Sequence, residues 1–404
     1  MSLIRGDAIA IPLRDDSVDL VVTSPPYFAL RSYTDGGEHY DGQIGSEPTP
    51  QAFLEALWAV TAECRRVLKP SGSMWVNLGD KYAGTQPGSR KHTHPRNNGT
   101  DANWKRAAPL AAIQAEAPTV AFGGVPSKSL MGLPWRYAIG CIDQLDLILR
   151  AEVIWSKPSG LPESVTDRVR RSHEQWFMFT KEPRYFAAVD EVREPHITGD
   201  ALTRVRSSNY RHAGRQVSPT GTSGNPLGKL PGSVWTIPSE PLKVPDWLGV
   251  DHFAAFPQEW PRRIILGWSP SGICVECGQG RRPVVAKEAA PDLAWREVQG
   301  RKRDGTNGLG GSTLGVPALD RATRVTGYAC ACPEPTAPTR PAVVLDPFGG
   351  TGTVAMVARA LGRYPVHIDL SADYLKLARW RIYESGHASK TAERTNRERQ
   401  GVLL

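Results

Sequence analysis

No apolar run in this 404-residue chain approaches the ~20 residues a bilayer-spanning helix needs. The segment Met1-Ser2-Leu3-Ile4-Arg5-Gly6-Asp7 holds no apolar core of the signal-peptide kind, so a soluble, cytoplasmic protein is expected. No repeat of fixed period is present. Cysteine is scarce: of six, Cys64 and Cys141 stand alone within apolar patterns, as buried structural thiols do. Acidic residues are missing altogether from 201–230, where Arg204, Arg206, Arg211, Arg215 and Lys229 lie among Gly and Ser. What is present supports a globular protein with a polyanionic partner. Hydrophobic residues make up 40%, enough for a sizeable core, and the net charge of +8 puts nucleic acid first among partners.

Two short loops stand out at opposite ends of the chain. Thr23-Ser24-Pro25-Pro26-Tyr27 follows the apolar run Val18-Asp19-Leu20-Val21-Val22, and Asp346-Pro347-Phe348-Gly349-Gly350-Thr351-Gly352-Thr353 follows Ala342-Val343-Val344-Leu345. Both runs read as buried strands. Loops at the carboxyl ends of parallel strands are where open α/β sheets bind ligands, so one crevice is predicted for both. Between them, Thr49 and Pro50 open a helix to about Leu68, with Phe53, Leu57, Val60, Cys64 and Val67 on one stripe. Pro70-Ser71-Gly72 is predicted to break this helix, and a strand to follow over 73–78. A further helix is expected from about Ser129 to Gln144, and a strand near 147–155.

The segment from Ala342 to Asp369 has the logic of a nucleoside-binding βαβ half. Gly349, Gly350 and Gly352 permit a sharp turn and close approach of backbone to ligand, ahead of a helix over 354–361. About 20 residues on, Asp369 closes the next strand, where a carboxylate accepts hydrogen bonds from ribose hydroxyls. No Gly-Lys-Ser/Thr follows, which excludes a P-loop, and the pattern is not Gly-x-Gly-x-x-Gly. Asp346 would repel a pyrophosphate and tolerate a cation, so S-adenosylmethionine suits the loop better than NAD. Taken alone, the loop is also compatible with a tight turn that binds nothing.

The Ser-Pro-Pro-Tyr loop offers rigid acceptors, because prolines fix φ and bring no N–H of their own. Ser24 Oγ and the Pro25 carbonyl could take the two N–H bonds of an exocyclic amino group. That would pull its nitrogen towards sp³ and free the lone pair for attack on a sulfonium methyl. Tyr27 would stack on a base flipped out of the duplex. A proline turn that merely closes a strand is the alternative.

With these segments in this order, the chain resembles β-class DNA amino-methyltransferases, in which the catalytic loop precedes the cofactor loop. Gly6-Asp7-Ala8 resembles the segment whose acid contacts the cofactor adenine. The stretch Trp155-Ser156-Lys157-Pro158 through Asp167-Arg168 to His173-Glu174 resembles the lining of the target-base pocket. Phe256-Pro257 resembles the segment that touches the methionine part. The resemblance covers roughly 1–80, 130–190 and 250–385. It implies a Rossmann-like methyltransferase fold: α/β, with a mostly parallel, mixed seven-stranded sheet in circularly permuted motif order, interrupted by irregular insertions. It also implies a catalytic set of Ser24, Pro25, Pro26 and Tyr27, and a cofactor set of Asp7, Phe256, Pro257, Asp346, Phe348, Gly349, Gly350, Gly352, Thr353 and Asp369. The implied cofactor is S-adenosylmethionine and the implied partners are double-stranded DNA and a cognate restriction endonuclease. A serine at the first loop position goes in this family more with N4 of cytosine, and Asp or Asn with N6 of adenine. C5-cytosine chemistry needs a nucleophilic cysteine, usually after proline, and no Pro-Cys pair occurs. An NAD-dependent oxidoreductase, supported only by the βαβ unit and Asp369, would leave the Ser-Pro-Pro-Tyr loop unexplained; a non-catalytic, zinc-containing DNA-binding protein on a relict fold is a third alternative.

The remaining thiols form two close pairs, Cys274-x-x-Cys277 and Cys330-x-Cys332. Four such thiols suit a tetrahedral structural zinc; unrelated cytosolic thiols are the alternative. The expected division has the catalytic-loop half at 1–82, a basic insertion at 83–127 and the rest of the base pocket at 128–190. A target-recognition region follows at 191–250. The cofactor half takes 251–270 and 337–388, the zinc-binding insertion 271–336, and a polar tail that frays lies at 389–404. Arg168, Arg170 and Arg171 are candidate ion-pair partners of Glu163 and Asp167; Lys157 and His173 are pocket residues or core-edge groups.

Overall fold

In the computed structural model, the described residues are 1–29, 34–35, 38–39, 42–83, 125–160, 163, 165–195, 225, 227–250, 255–287, 323–333 and 337–399. The core of the expected basic insertion and the acid-free arginines 204, 206, 211 and 215 lie outside them. The chain divides into two compact units, one of residues 1–186, 233–265 and 343–404, the other of 187–232 and 266–342.

The first unit is built on one sheet. Its strands are β1 (Ser2–Arg5), β2 (Val18–Thr23), β3 (Leu68–Leu78), β4 (Ile148–Ser156), β5 (His173–Thr180), β6 (Val234–Thr236), β7 (Val343–Asp346) and β8 (Tyr364–Asp369). They lie in the order β1-β8-β7-β2-β3-β5-β4-β6. Only β5 runs antiparallel to its neighbours. The sheet is therefore mixed and mostly parallel, as expected, with eight strands where seven were expected; the addition is the three-residue edge strand β6.

Every residue of β2 is buried, including Asp19. A carboxylate is tolerated there because Lys69 pairs with Oδ1 and the Val343 N–H donates to Oδ2 at 2.8 Å. The same contacts tie β2 to β3 and to the start of β7. The helix expected to reach about Leu68 ends at Val67, ahead of Pro70-Ser71-Gly72, but the strand expected over 73–78 begins earlier, at Leu68. β3 runs through these residues, and the β2–β3 register slips between Val18 and Leu20. Gly72 is what lets the irregularity fit, since a Cβ there would lie 2.9 Å from the Asp19 carbonyl oxygen.

Among the described residues the α-helices are α1 (Pro50–Val67), α2 (Leu133–Leu145), α3 (Glu259–Trp268), α4 (Thr353–Ala360), α5 (Ala372–Tyr383) and α6 (His387–Arg399). Thr49 Oγ1 accepts from the Ala52 N–H and caps α1. The predicted stripe Phe53, Leu57, Val60, Cys64 and Val67 is wholly buried. No helix among the described residues is long and apolar enough to cross a membrane. The tail expected to fray from Ser389 is instead helical to Arg399. Thr391 and Thr395 are buried, Thr391 Oγ1 bonds Gln258 Oε1 at 2.8 Å, and Arg394 pairs with Glu259 at 3.0 Å. Beyond β5, Trp235, Trp260 and Trp176 stack at 4.9 Å spacings, and Trp155 and Phe256 meet this stack edge-on. The stack carries Phe256 and Pro257 to the carboxyl ends of the strands.

Among its described residues the second unit has two short sheets. Arg282–Lys287 pairs antiparallel with Thr323–Ala329, and Ile273–Cys274 with Thr339–Arg340.

Candidate active site

Strands β7 and β2 are parallel neighbours, Val344 opposite Leu20 and Leu345 opposite Val21. The glycine-rich loop and the Ser-Pro-Pro-Tyr loop consequently leave the sheet side by side. Thr23 Oγ1 donates to Asp346 Oδ1 at 2.7 Å and locks the two together. Above them lies a cavity of about 490 Å³. Ser24, Pro25, Pro26 and Tyr27 form one wall; Phe348, Gly349, Gly350, Thr351, Thr353 and Asp369 form another; Phe256, Pro257 and Tyr374 close it.

The first wall is organised by Asn77, which the sequence reading placed only in a strand. Its amide N–H donates to the Gln175 carbonyl at 3.0 Å, which turns Oδ1 towards the loop. Ser24 Oγ donates to that oxygen at 3.1 Å, and Tyr27 Oη lies 2.8 Å from it and 2.7 Å from Glu174 Oε2. With its proton committed to Asn77, the Ser24 oxygen is presented as an acceptor. Lys157 pairs with Glu174 and sits over the Trp155 ring at 4.1 Å from its centre. Lys157 therefore lines the cavity, whereas His173 is exposed and does not. Gly79 seats the Tyr27 ring: a Cβ there would come within 2.6 Å of Tyr27 Cε2. Of the nearby arginines, Arg168 does pair with Glu163, at 2.7 Å, while Asp167 pairs with Lys128.

In the second wall, Asp369 Oδ2 accepts from the Gly350 N–H at 2.8 Å and Oδ1 from the Ser371 N–H at 2.9 Å. From beneath, buried Arg381 donates to Thr351 Oγ1 at 2.9 Å and Thr353 Oγ1 at 2.6 Å. Burial lowers the Arg381 pKa to about 10, which leaves it charged at neutral pH. Gly352, at φ +76°, begins α4 and abuts Ala378, which a Cβ would approach to 2.9 Å.

Three members of the predicted cofactor set do not line the cavity. Gly352 faces α5. Asp7 closes on its own turn, Oδ1 accepting from the Ile9 N–H, although the Gly6 N–H bonds the Asp369 carbonyl. Asp346 is buried, and its Oδ1 accepts from both Thr23 Oγ1 and the Phe348 N–H. Burial, with Asp369 nearby, raises its pKa to about 7. The electrostatic selection of a cation assigned to Asp346 is therefore corrected: it straps the loops, and Asp369 is the carboxylate on the cavity wall.

His367 lies under Gly349, and burial pushes its pKa down to about 4. The two shifts oppose each other. Native Asp346 keeps its proton towards pH 7 while the unfolded chain releases it near pH 4, so this group's stabilising effect is lost as pH rises through that window. Native His367 stays neutral down to about pH 4 while the unfolded chain protonates near 6.5, so its effect is lost as pH falls. Asp346→Asn should make urea stability rise more steeply between about pH 5 and 7, and His367→Leu should make it fall. Equal slopes in both variants would contradict the assignment.

The family model for N6/N4 DNA methylases matches residues 18–275, and the chain belongs to that family. It is thus an S-adenosylmethionine-dependent DNA amino-methyltransferase. Its curated relatives include Type II methyltransferase M.Cfr9I of Citrobacter freundii, 32% identical over 74% of this chain and 88% of that protein. Another is Type II methyltransferase M.XycI of Xanthomonas campestris pv. cyanopsidis, 29% identical over 94% and 87%. Among solved structures, the PvuII DNA methyltransferase (cytosine-N4-specific) shares the fold, with a TM-score of 0.50 at 16% identity over 99% of this chain and 93% of that one.

Proposed function

We propose that this enzyme methylates N4 of cytosine within a short sequence of double-stranded DNA. The observation that carries this reading is Ser24 at the first position of the loop, a hydroxyl whose proton is held by Asn77 and whose oxygen is left to accept; a serine there is what the family resemblance links to N4 of cytosine. The cavity suits the methyl donor. Its volume falls within the range of small-molecule sites, Asp369 offers a carboxylate to ribose hydroxyls, and Phe256, Pro257 and Phe348 supply apolar surface. When bound, S-adenosylmethionine provides an electrophilic sulfonium methyl.

The chain's own residues do the rest. Ser24 Oγ and the Pro25 carbonyl accept the two amino N–H bonds and hold the nitrogen with its lone pair aimed along the cavity. Asn77 keeps Ser24 from turning away. Tyr27, wedged on Gly79 and tied at its hydroxyl, presents a fixed ring for a flipped base to stack on. The Lys157–Glu174 pair supplies a donor and an acceptor to the base edge. Lys229 and the arginines of 201–230 supply cationic contacts to phosphate and guanine. A restriction endonuclease that reads the same site is the partner this reading implies.

Digestion of DNA methylated by the purified enzyme, followed by nucleoside mass spectrometry, tests the base. N4-methylcytosine is expected, and N6-methyladenine would overturn the assignment.

A further inference from the structure

We propose that Cys274, Cys277, Cys330 and Cys332 bind one Zn²⁺ as a closed, structural site in the second unit. The methyl-transfer reading does not use these residues, so the two stand or fall separately. The folding of the chain brings the two cysteine pairs together, with all four sulfur atoms within 4.8 Å of one another. Cys274 Sγ and Cys332 Sγ are 3.7 Å apart. In a tetrahedron of thiolates at about 2.3 Å from zinc, the sulfur–sulfur edge is about 3.8 Å. A disulfide needs about 2.05 Å, so this separation is the wrong one for a bridge.

The backbone around the first pair is shaped for a ligand. The Cys274 N–H bonds the Gln279 carbonyl at 2.9 Å and the Gly278 N–H bonds the Cys274 carbonyl at 3.0 Å. Gly278, at φ +69°, makes the turn that swings Cys277 back towards Cys274. Cys274 also ends the short strand paired with Thr339–Arg340, while Cys330 directly follows Thr323–Ala329. A metal at their centre would therefore clip both short sheets of this unit together.

Such a clip suits the described part of the unit. Among its described residues, the buried apolar side chains besides Cys274 are few: Ala188, Leu266, Trp268, Ile273, Ala337 and Ala342. Where few apolar side chains meet, a metal commonly staples the chain. Four protein thiolates also fill a tetrahedral zinc, which leaves no open position for a substrate.

The test uses the full chain purified under reducing conditions. Elemental analysis should find about one zinc per chain, released when a mercurial blocks the thiols. Cobalt(II) added to the stripped, reduced protein should give intense thiolate-to-metal charge-transfer absorption. Cys277→Ser with Cys332→Ser should lose the metal, with S-adenosylhomocysteine affinity held within about twofold, because the cofactor wall lies in the other unit. If that double variant fails to fold, the cobalt titration of the wild-type chain decides. Reduced wild-type protein that takes up neither zinc nor cobalt would overturn the site, as would a Cys274–Cys332 disulfide in the native protein. Loss of cofactor affinity together with the metal would overturn its purely structural role.

Discussion

Gly349→Ala should weaken binding of S-adenosylhomocysteine by roughly 5- to 150-fold. An added Cβ would lie 2.2 Å from His367 Cε1 and Nδ1. Neither side can yield cheaply. The Gly349 N–H is bonded to the Ile368 carbonyl at 2.9 Å, and the His367 ring is fully buried in β8. Overpacking of this kind costs roughly 1–3 kcal/mol or more, taken up by displacing the loop that forms one wall of the cavity. Calorimetric titration measures the loss. Adding His367→Ala to the same chain should open the space and recover much of the affinity, which separates a steric cause from a general failure to fold. A Gly349→Ala protein that binds as tightly as wild type would show that the loop moves freely.

Asn77→Ala should lower the methylation rate by about 10²-fold while leaving cofactor affinity unchanged, the scale on which misplacing a reacting group by an ångström is felt. The substitution removes one oxygen that serves both Ser24 and Tyr27. Ser24 is then free to rotate, and its proton can point into the cavity. Asn77→Asp is the informative companion. It keeps an acceptor for Ser24, loses the N–H that meets the Gln175 carbonyl, and brings a second carboxylate near Glu174. It too should be slow with cofactor affinity retained. A purely structural role for Asn77 would instead depress affinity, rate and stability together. Single-turnover kinetics beside titration distinguishes the cases.

Much of this site was legible in the sequence because its parts are short and local. An apolar run, a loop of fixed composition and a capped helix announce themselves within about ten residues, as the segments ending at Tyr27 and Thr353 do. Thr49 predicted the start of α1 to the residue. What stayed hidden depends on partners far along the chain. Asn77 looks like any polar residue in a strand until its amide is found between Gln175 and Ser24. Arg381 looks like a surface arginine of α5 until it is found buried beneath Thr351 and Thr353. Asp346 was misread for the same reason, since its burial and its bond to Thr23 are properties of the assembled sheet. Helix α6 was missed because its buried face rests on threonines, which carry little apolar signal. β1 was missed because its four edge residues, none of them buried, form no clear alternation.

The strand order also constrains when the molecule can come into being. β1 and β2 are made first but never touch; β7 and β8, synthesised some hundreds of residues later, are inserted between them. The Thr23–Asp346 bond spans 323 positions of sequence. Until the last strands leave the ribosome, β2 keeps an open edge, the kind of surface that invites mispairing, and pairings this remote form slowly. A growing chain therefore holds the Ser-Pro-Pro-Tyr loop long before the glycine-rich loop joins it. The cavity the two loops share forms only when the sheet closes.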